Sequence, residues 1–342
     1  MKLTLIIVPV LLAASPLLVQ AQSNVTIYGV VDAGVIKRSG ASTAIGKRDA
    51  NTLGFRGVED LGNGLKALFH LEIRYEPDTG TIESVVRPLF QGQSRVGLQG
   101  GFGMVRIGRG VSAYMESMMA FEPYHGLPTP AGFYTDVIVA GYTSQPLEPA
   151  GNSFNRMSNA IFYNTPDFGG LQFNATVSTK EASGGPVIIG RGTAAAPQYR
   201  ANAEASANPY SVSATYKAGA LGAMLGFERN GIEAEVRSAG VYFKPIETLK
   251  LMGVYTDQDR GHTMAFNEGV KAWVVGANYT IGSGTILAGY GRKEPDGVIE
   301  TRQVSLGYEY ALSKRTYVYV DASSKEAATK VRHYDIGLRT SF

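Results

Sequence analysis

The chain has 342 residues, 44% of them hydrophobic, with 32 basic side chains against 29 acidic ones. A net charge of +3 gives no support for nucleic-acid binding, and the absence of cysteine excludes a disulfide scaffold. After residue 21 no apolar run reaches 18 residues, so no membrane helix is expected; the 42 glycines and 19 tyrosines sit among many short alternating segments, which point to an all-β chain.

Residues 1–21 read MKLTLIIVPVLLAASPLLVQA. Lys2 provides the positive start, Leu3 to Leu18 the apolar core, and Val19-Gln20-Ala21 a small-residue cleavage site. This pattern predicts a secretory signal peptide over 1–21 and one mature domain over 22–342. Pro9 and Pro16 argue against a permanent anchor. Loss of Lys2 lowers the formal charge from +3 to +2.

From residue 24 onward the chain alternates. Strands are expected near 24–36, 48–59, 64–76, 86–99, 103–110, 156–165, 171–181 and 209–218. Eight more follow near 221–230, 236–244, 248–257, 269–280, 284–293, 300–311, 314–324 and 331–342. The segment LKALFHLEIRYE at 65–76 shows the pattern best. Leu65, Ala67, Phe69, Leu71, Ile73 and Tyr75 share one face of a strand; Lys66, His70, Glu72, Arg74 and Glu76 share the other.

Two environments suit such a strand: a soluble core with charges in bulk water, or lipid outside with charges lining a wet interior. Strand length favours the second. Most segments reach the roughly 9–11 residues that cross a bilayer, whereas soluble strands average about 5–6. Connection length agrees. Short turns such as DLGNG at 60–64, GGFG at 100–103 and IGSG at 281–284 alternate with longer polar loops at 37–47, 77–85, 111–155 and 182–208. Turns at one end and loops at the other mark an up-and-down membrane barrel. In lipid each backbone donor and acceptor needs an internal partner, so the sheet must close. A one-residue slip would turn Lys66 and Arg74 outward. Each costs about 2–4 kcal/mol near the bilayer midplane, against a total stability of about 5–15 kcal/mol, so register is strongly set. About sixteen strands leave an aqueous channel rather than a filled interior.

Residues 111–155 form the longest break in the pattern. Tyr114, Phe121, Tyr124, Phe133, Tyr134 and Tyr142 are too many aromatics for disorder, and a loop this long is expected to be functional. The chain ends on an alternating strand, HYDIGLRTSF, with Phe342 last.

Six stretches together resemble one family, the general porins of Gram-negative outer membranes, of β-proteobacterial type. They are VTIYGVVDAGV at 25–35, LGFRGVEDLGNGLKALFHLE at 53–72, VGLQGGFGMVRIGR at 96–109, SNAIFYNTPDFGGLQF at 158–173, GYEYALSKRTYVYV at 307–320 and IGLRTSF at 336–342. The resemblance implies a trimeric 16-stranded antiparallel transmembrane β-barrel with its third loop folded into the pore. It implies passive diffusion of ions and small hydrophilic solutes across the outer membrane, in contact with its lipid and lipopolysaccharide. The terminal aromatic resembles the signal that barrel-assembly machinery reads. The alternative is a channel selective for a specific organic anion.

Such a pore selects by width and by a transverse field between charged groups. The basic wall candidates are Arg56, Arg74, Arg95, Arg109 and Arg156, the first three by inward parity and the last two by matching the family's arginines. The acidic candidates on the loop are Glu116, Glu122 and Asp136. Thr52 and Gln91-Gly92-Gln93 replace arginine-bearing stretches of many relatives, so the sign of selectivity stays open. No enzyme is expected: the chain has four histidines and no GxSxG or HExxH motif. No cofactor is expected, and Asp257, Asp259 and Glu268 are too sparse for a metal loop.

Overall fold

The computed structural model describes residues 24–84, 87–139, 142–146, 155–179, 187–193, 196–200, 207–259, 269–295 and 300–342, with backbone alone for 187–193 and 196–200. The signal-peptide expectation over 1–21 lies outside the described residues.

Sixteen long strands run antiparallel in chain order. The first half comprises β1 (Asn24–Arg38), β3 (Thr52–Gly62), β4 (Leu65–Arg74), β5 (Gln93–Gly100), β6 (Gly103–Val111), β7 (Arg156–Asn164), β8 (Leu171–Ser178) and β11 (Tyr210–Ala218). The second half comprises β12 (Leu221–Arg229), β13 (Glu235–Ile246), β14 (Leu249–Asp259), β15 (Val270–Ile281), β16 (Gly284–Pro295), β17 (Thr301–Ala311), β18 (Thr316–Glu326) and β19 (Lys330–Ser341). Three short strands lie between them. β2 (Ala44–Gly46) pairs with β1, while β9 (Val187–Thr193) and β10 (Ala196–Arg200) pair with each other as a hairpin within the loop expected at 182–208.

The sheet closes on itself. β1 pairs with β3 through its first half and with β19 through its second, from Val30↔Ser341 to Arg38↔His333. Gly29 and Phe342 exchange backbone hydrogen bonds of 3.2 and 3.1 Å. A Cβ on Gly29 would lie 2.5 Å from the Phe342 ring, so the terminal aromatic covers a glycine at the seam. Closure leaves no open edge in the barrel sheet, as lipid requires.

The two faces separate by parity. Along β17, Thr301, Gln303 and Ser305 are buried while Val304, Leu306, Tyr308 and Tyr310 are exposed. Along β14, Met252, Val254, Thr256 and Gln258 are buried and Leu251 and Tyr255 exposed. Apolar side chains therefore coat the outside of the cylinder, where lipid rather than water covers them. Turn chemistry agrees: Gly62, Asn63 and Gly64 all have positive φ between β3 and β4, a conformation glycine and asparagine adopt most readily.

Two expected strands start late. The chain enters β3 at Thr52 rather than near 48, and β5 at Gln93 rather than near 86. Pro88 has no N–H to give to a ladder. Residues 91 and 92 instead accept side-chain hydrogen bonds through their carbonyls, as described next.

Candidate functional site: the barrel interior

The 112–139 segment is folded, not merely a loop. Ser112 caps α1 (Ala113–Met118), its hydroxyl accepting from the Met115 N–H at 3.4 Å. A 3₁₀ turn (Met119–Phe121) and a π-helical turn (Tyr134–Ile138) follow. Polar side chains of the wall hold the segment along its length. Thr176 and Ser211 accept from the backbone N–H groups of Ala113 and Tyr114 at 3.1 and 2.8 Å. Lys250 donates to Ala120 O at 2.7 Å, Asn278 to Pro123 O at 2.9 Å and Gln258 to Ile138 O at 2.8 Å. Gln303 Nε2 serves the carbonyls of Pro130, Ala131 and Gly132 at 3.0–3.2 Å. Each of these wall residues lies on the face opposite the apolar coat, which places the segment against the barrel's inner surface.

Shape matches as well as polarity. Tyr114, Phe121, Pro123, Phe133 and Tyr124 lie over inward-facing glycines of β12, β13, β15, β16 and β17. An added Cβ would come within 2.7 Å of Tyr114 at Gly226, 2.8 Å of Phe121 at Gly240 and 2.2 Å of Pro123 at Gly276. The distances are 2.5 Å to Phe133 at Gly289 and 2.9 Å to Tyr124 at Gly307. Such contacts are shorter than real Cβ atoms allow, so the glycines form a seat for the aromatic side of the segment. Buried Tyr114, Met118, Phe121 and Phe133 pack there with Met224, Val236, Val254 and Val274. Glu228 fixes the base of the segment: it is fully buried and bonded to Ser112, Ser144 and Ser211.

The opposite wall is basic. Arg56, His70 and Arg95 are direct cross-strand partners on β3, β4 and β5. Adjacent strands lie about 4.8 Å apart, so the three stand in one row. The Arg56 guanidinium lies 5.2 Å from the Tyr28 ring centre. The Tyr28 hydroxyl bonds His70 Nε2 at 2.5 Å and donates to Glu72 Oε2 at 2.9 Å. Arg95 and Arg106 share the Phe162 ring at 5.4 and 5.8 Å. Gly97, the cross-strand partner of Arg106, leaves room for its stem, since a Cβ would lie 2.8 Å from Arg106 Cγ. Glu116 is exposed on α1, and its charge attracts both Arg95 and Arg106.

The expected site residues therefore divide. Arg56, Arg95 and Glu116 come together on the inner surface; Arg74 shares the inward parity but lies four positions further along β4 than His70, 3.8 Å from Glu72 and near Arg156. Arg109 and Arg156 are instead committed to backbone carbonyls. Arg109 has the odd parity of outward-facing Ile107, but the backbone bulges between Gly108 and Gly110, with Gly108 at φ 131, and this reverses the alternation and buries the Arg109 side chain. Both arginines are buried; their Nε atoms donate to Gln91 O at 3.0 Å and Gly92 O at 2.8 Å. Glu122 is likewise withdrawn from the acidic rim. It is fully buried and accepts the backbone N–H groups of Tyr124, Gly126 and Phe133, and burial pushes its carboxyl up to about 7. Asp136 belongs to the π-helical turn, and its side chain is outside the described residues.

Sequence reasoning missed two participants. Arg106 lies between Val105 and Ile107, so its inward parity was legible. Arg48 was not, because it precedes β3. Its guanidinium is buried against Asp321 at 2.7 Å and Glu309 at 2.6 Å, and stacks 4.7 Å from Tyr319 and 5.7 Å from Tyr124. It ties the 47–51 stretch to β17, β18 and the tip of the inserted segment.

A closed sixteen-stranded cylinder, apolar outside and charged within, is an outer-membrane channel protein. Comparison with known proteins agrees. The Gram-negative porin family model matches residues 9–329. Outer membrane porin protein 32 of Delftia acidovorans is 29% identical over 96% of this chain and 92% of its own length. An outer membrane porin protein of Bordetella pertussis is 27% identical over 92% of this chain and 95% of its own length. Among solved structures, an anion-selective porin from Comamonas acidovorans superposes with a TM-score of 0.76 at 22% identity, covering 94% of this chain and all of that one. OmpT of Vibrio cholerae in trimer form follows at TM-score 0.64 and 13% identity, covering 94% and 99%. The chain belongs to the Gram-negative porin family, and it is an outer-membrane porin.

Proposed function

We propose that the inserted segment constricts a water-filled pore and that ions and small hydrophilic solutes pass between Glu116 on α1 and a wall of Arg56, Arg74, Arg95 and Arg106. One observation carries this reading: three arginines and His70 cluster on neighbouring strands while the one exposed acid of α1 attracts two of them. Low-dielectric walls focus the field between such groups, so local ion concentration changes with sign. The excess of arginine on this wall favours anions. In a salt gradient across a planar bilayer, the reversal potential should carry the sign of anion preference; cation preference would overturn the assignment.

A channel specific for one organic anion is the second reading. It is favoured by the guanidinium pair at Phe162, since arginine binds carboxylates in paired fashion. Saturation of flux by a carboxylate solute at low concentration separates it from general diffusion.

Residues 1–21 are removed on export in this reading, and the mature barrel forms homotrimers, as the family and the trimeric neighbour support. Lipopolysaccharide meets the loop end of the outer surface. There Arg237, Asp257, Lys271 and Glu294 pair across four strands on the outward face, next to the aromatic pair Tyr255 and Trp273. Conductance in three equal steps tests the trimer.

A further inference from the structure

A recess of about 180 Å³ opens beside α1 on the inner wall. Glu116, Ser117 and Phe121 line it from the inserted segment; Gln172, Asn174, Thr215 and Lys217 line it from β8 and β11. At about 30 Å³ per water, it holds a solute of a few heavy atoms.

Its charges are opposite, and neither is neutralised by direct contact. The Glu116 carboxylate and the Lys217 ammonium are both exposed, and neither takes part in a hydrogen bond or ion pair among the described residues. The wall between them is held rigid. Asn164 Nδ2 donates to Asn174 Oδ1 at 2.5 Å, and Asn174 Nδ2 to Ser213 Oγ at 3.2 Å. Ser213 in turn donates to Ala113 O at 3.1 Å and shares a 2.7 Å bond with Ser117. Gln172 Nε2 is committed to Thr165 O at 3.0 Å, which leaves its amide oxygen as an acceptor.

We propose that this recess is a binding subsite for small zwitterions of the α-amino-acid class. The proposal rests on the porin reading and adds a solute class to it. A solute ammonium lies against Glu116, its carboxylate against Lys217, and a short side chain against Phe121. Charge logic selects the class. A simple anion drawn to Lys217 is repelled by Glu116, and a simple cation drawn to Glu116 meets Lys217 and the field of Arg95 and Arg106. A molecule carrying both charges offsets both interactions at once.

The test is uptake by proteoliposomes holding the mature full-length protein, with labelled solutes at micromolar concentration. Serine is the probe. Glycerate and 2-amino-1,3-propanediol keep one charge each, and glycerol is the neutral size control. The ratio of serine to glycerol uptake, taken within each protein, should exceed the ratios for both single-charge analogues. It should fall about threefold in K217M, the fold-change expected of one solvent-screened ion pair, and stay near the wild-type value in K217R. In E116Q, serine should lose its advantage over glycerate. Equal serine ratios in wild type and K217M overturn the subsite, as does glycerate uptake matching serine in the wild type. Wild-type vesicles closed to glycerol would instead overturn the porin reading beneath it.

Discussion

Pro123 occupies a notch left by Gly276 on the inner wall, where a Cβ would lie 2.2 Å from Pro123 Cγ and 2.9 Å from Ala288 O. Neither the rigid proline ring nor the β15–β16 ladder can yield that distance cheaply. Gly276→Val should therefore lift the tip of the inserted segment while leaving the barrel's hydrogen bonds intact. The expected outcome is a larger single-channel conductance with weaker ion discrimination. Gly101→Ala is the control, because a Cβ at Gly101 meets nothing within 4 Å. Unchanged conductance in Gly276→Val would show that the seat does not position the segment.

The inward arginines make a second, graded prediction. Arg56→Gln, Arg95→Gln and Arg106→Gln should each move the reversal potential toward cation preference, and Glu116→Gln should move it the other way. Roughly 0.5–1 kcal/mol of screened Coulomb energy per charge corresponds to about a twofold to fivefold change in permeability ratio. Arg109→Gln and Arg156→Gln should leave the ratio nearly unchanged and lower stability instead, because their guanidinium groups are spent on the carbonyls of Gln91 and Gly92. A selectivity shift in Arg109→Gln as large as in Arg95→Gln would contradict the division of roles.

These two groups show what period-two reading can and cannot deliver. Parity along LKALFHLEIR placed His70 and Glu72 inward, and it would have placed Arg106 there too, between Val105 and Ile107. Parity alone would have turned Arg109 outward with Ile107, and only its match to the family's arginine made it a candidate; one bulged residue after Gly108 reverses each face beyond it, and a bulge leaves no alternation signal of its own. Parity was silent on Arg48 and Glu122, which lie outside the strands. Whether a charged loop residue turns toward water or into the loop depends on backbone N–H groups and tertiary partners, none of which composition reveals. The glycine seat was written in the sequence as scattered glycines, but each gains meaning only once strand register sets Gly276 and Gly289 side by side.

Arg48 and Asp321 are both excluded from solvent, with Nε and Oδ2 2.7 Å apart. Removing the cation strands Asp321 without its partner in a low-dielectric site. Arg48→Met should cost about 3–5 kcal/mol, read as a lowered midpoint of thermal unfolding in detergent. Asp321→Asn should cost less, since Arg48 keeps Glu309 at 2.6 Å. Equal midpoints for wild type and Arg48→Met would mean that the contact contributes nothing to the fold.

Glu122 provides a pH dependence whose sign follows from its burial. Its carboxyl is pushed up to about 7 by burial, with the N–H groups of Gly126, Tyr124 and Phe133 opposing that rise. An unfolded glutamate titrates near 4.5. Below that value the group is protonated in both states and its contribution to stability is complete; the contribution is lost as pH rises from about 4.5 through about 7. The 122–133 turn should accordingly be held more firmly at pH 5 than at pH 8. Amide exchange at Tyr124, Gly126 and Phe133, corrected for its intrinsic pH dependence, reads this directly. Glu122→Gln has no proton to lose in this range and should flatten the profile. A wild-type turn that is better protected at pH 8 than at pH 5 would mean that the three N–H donors outweigh burial and that the carboxylate is the favoured form.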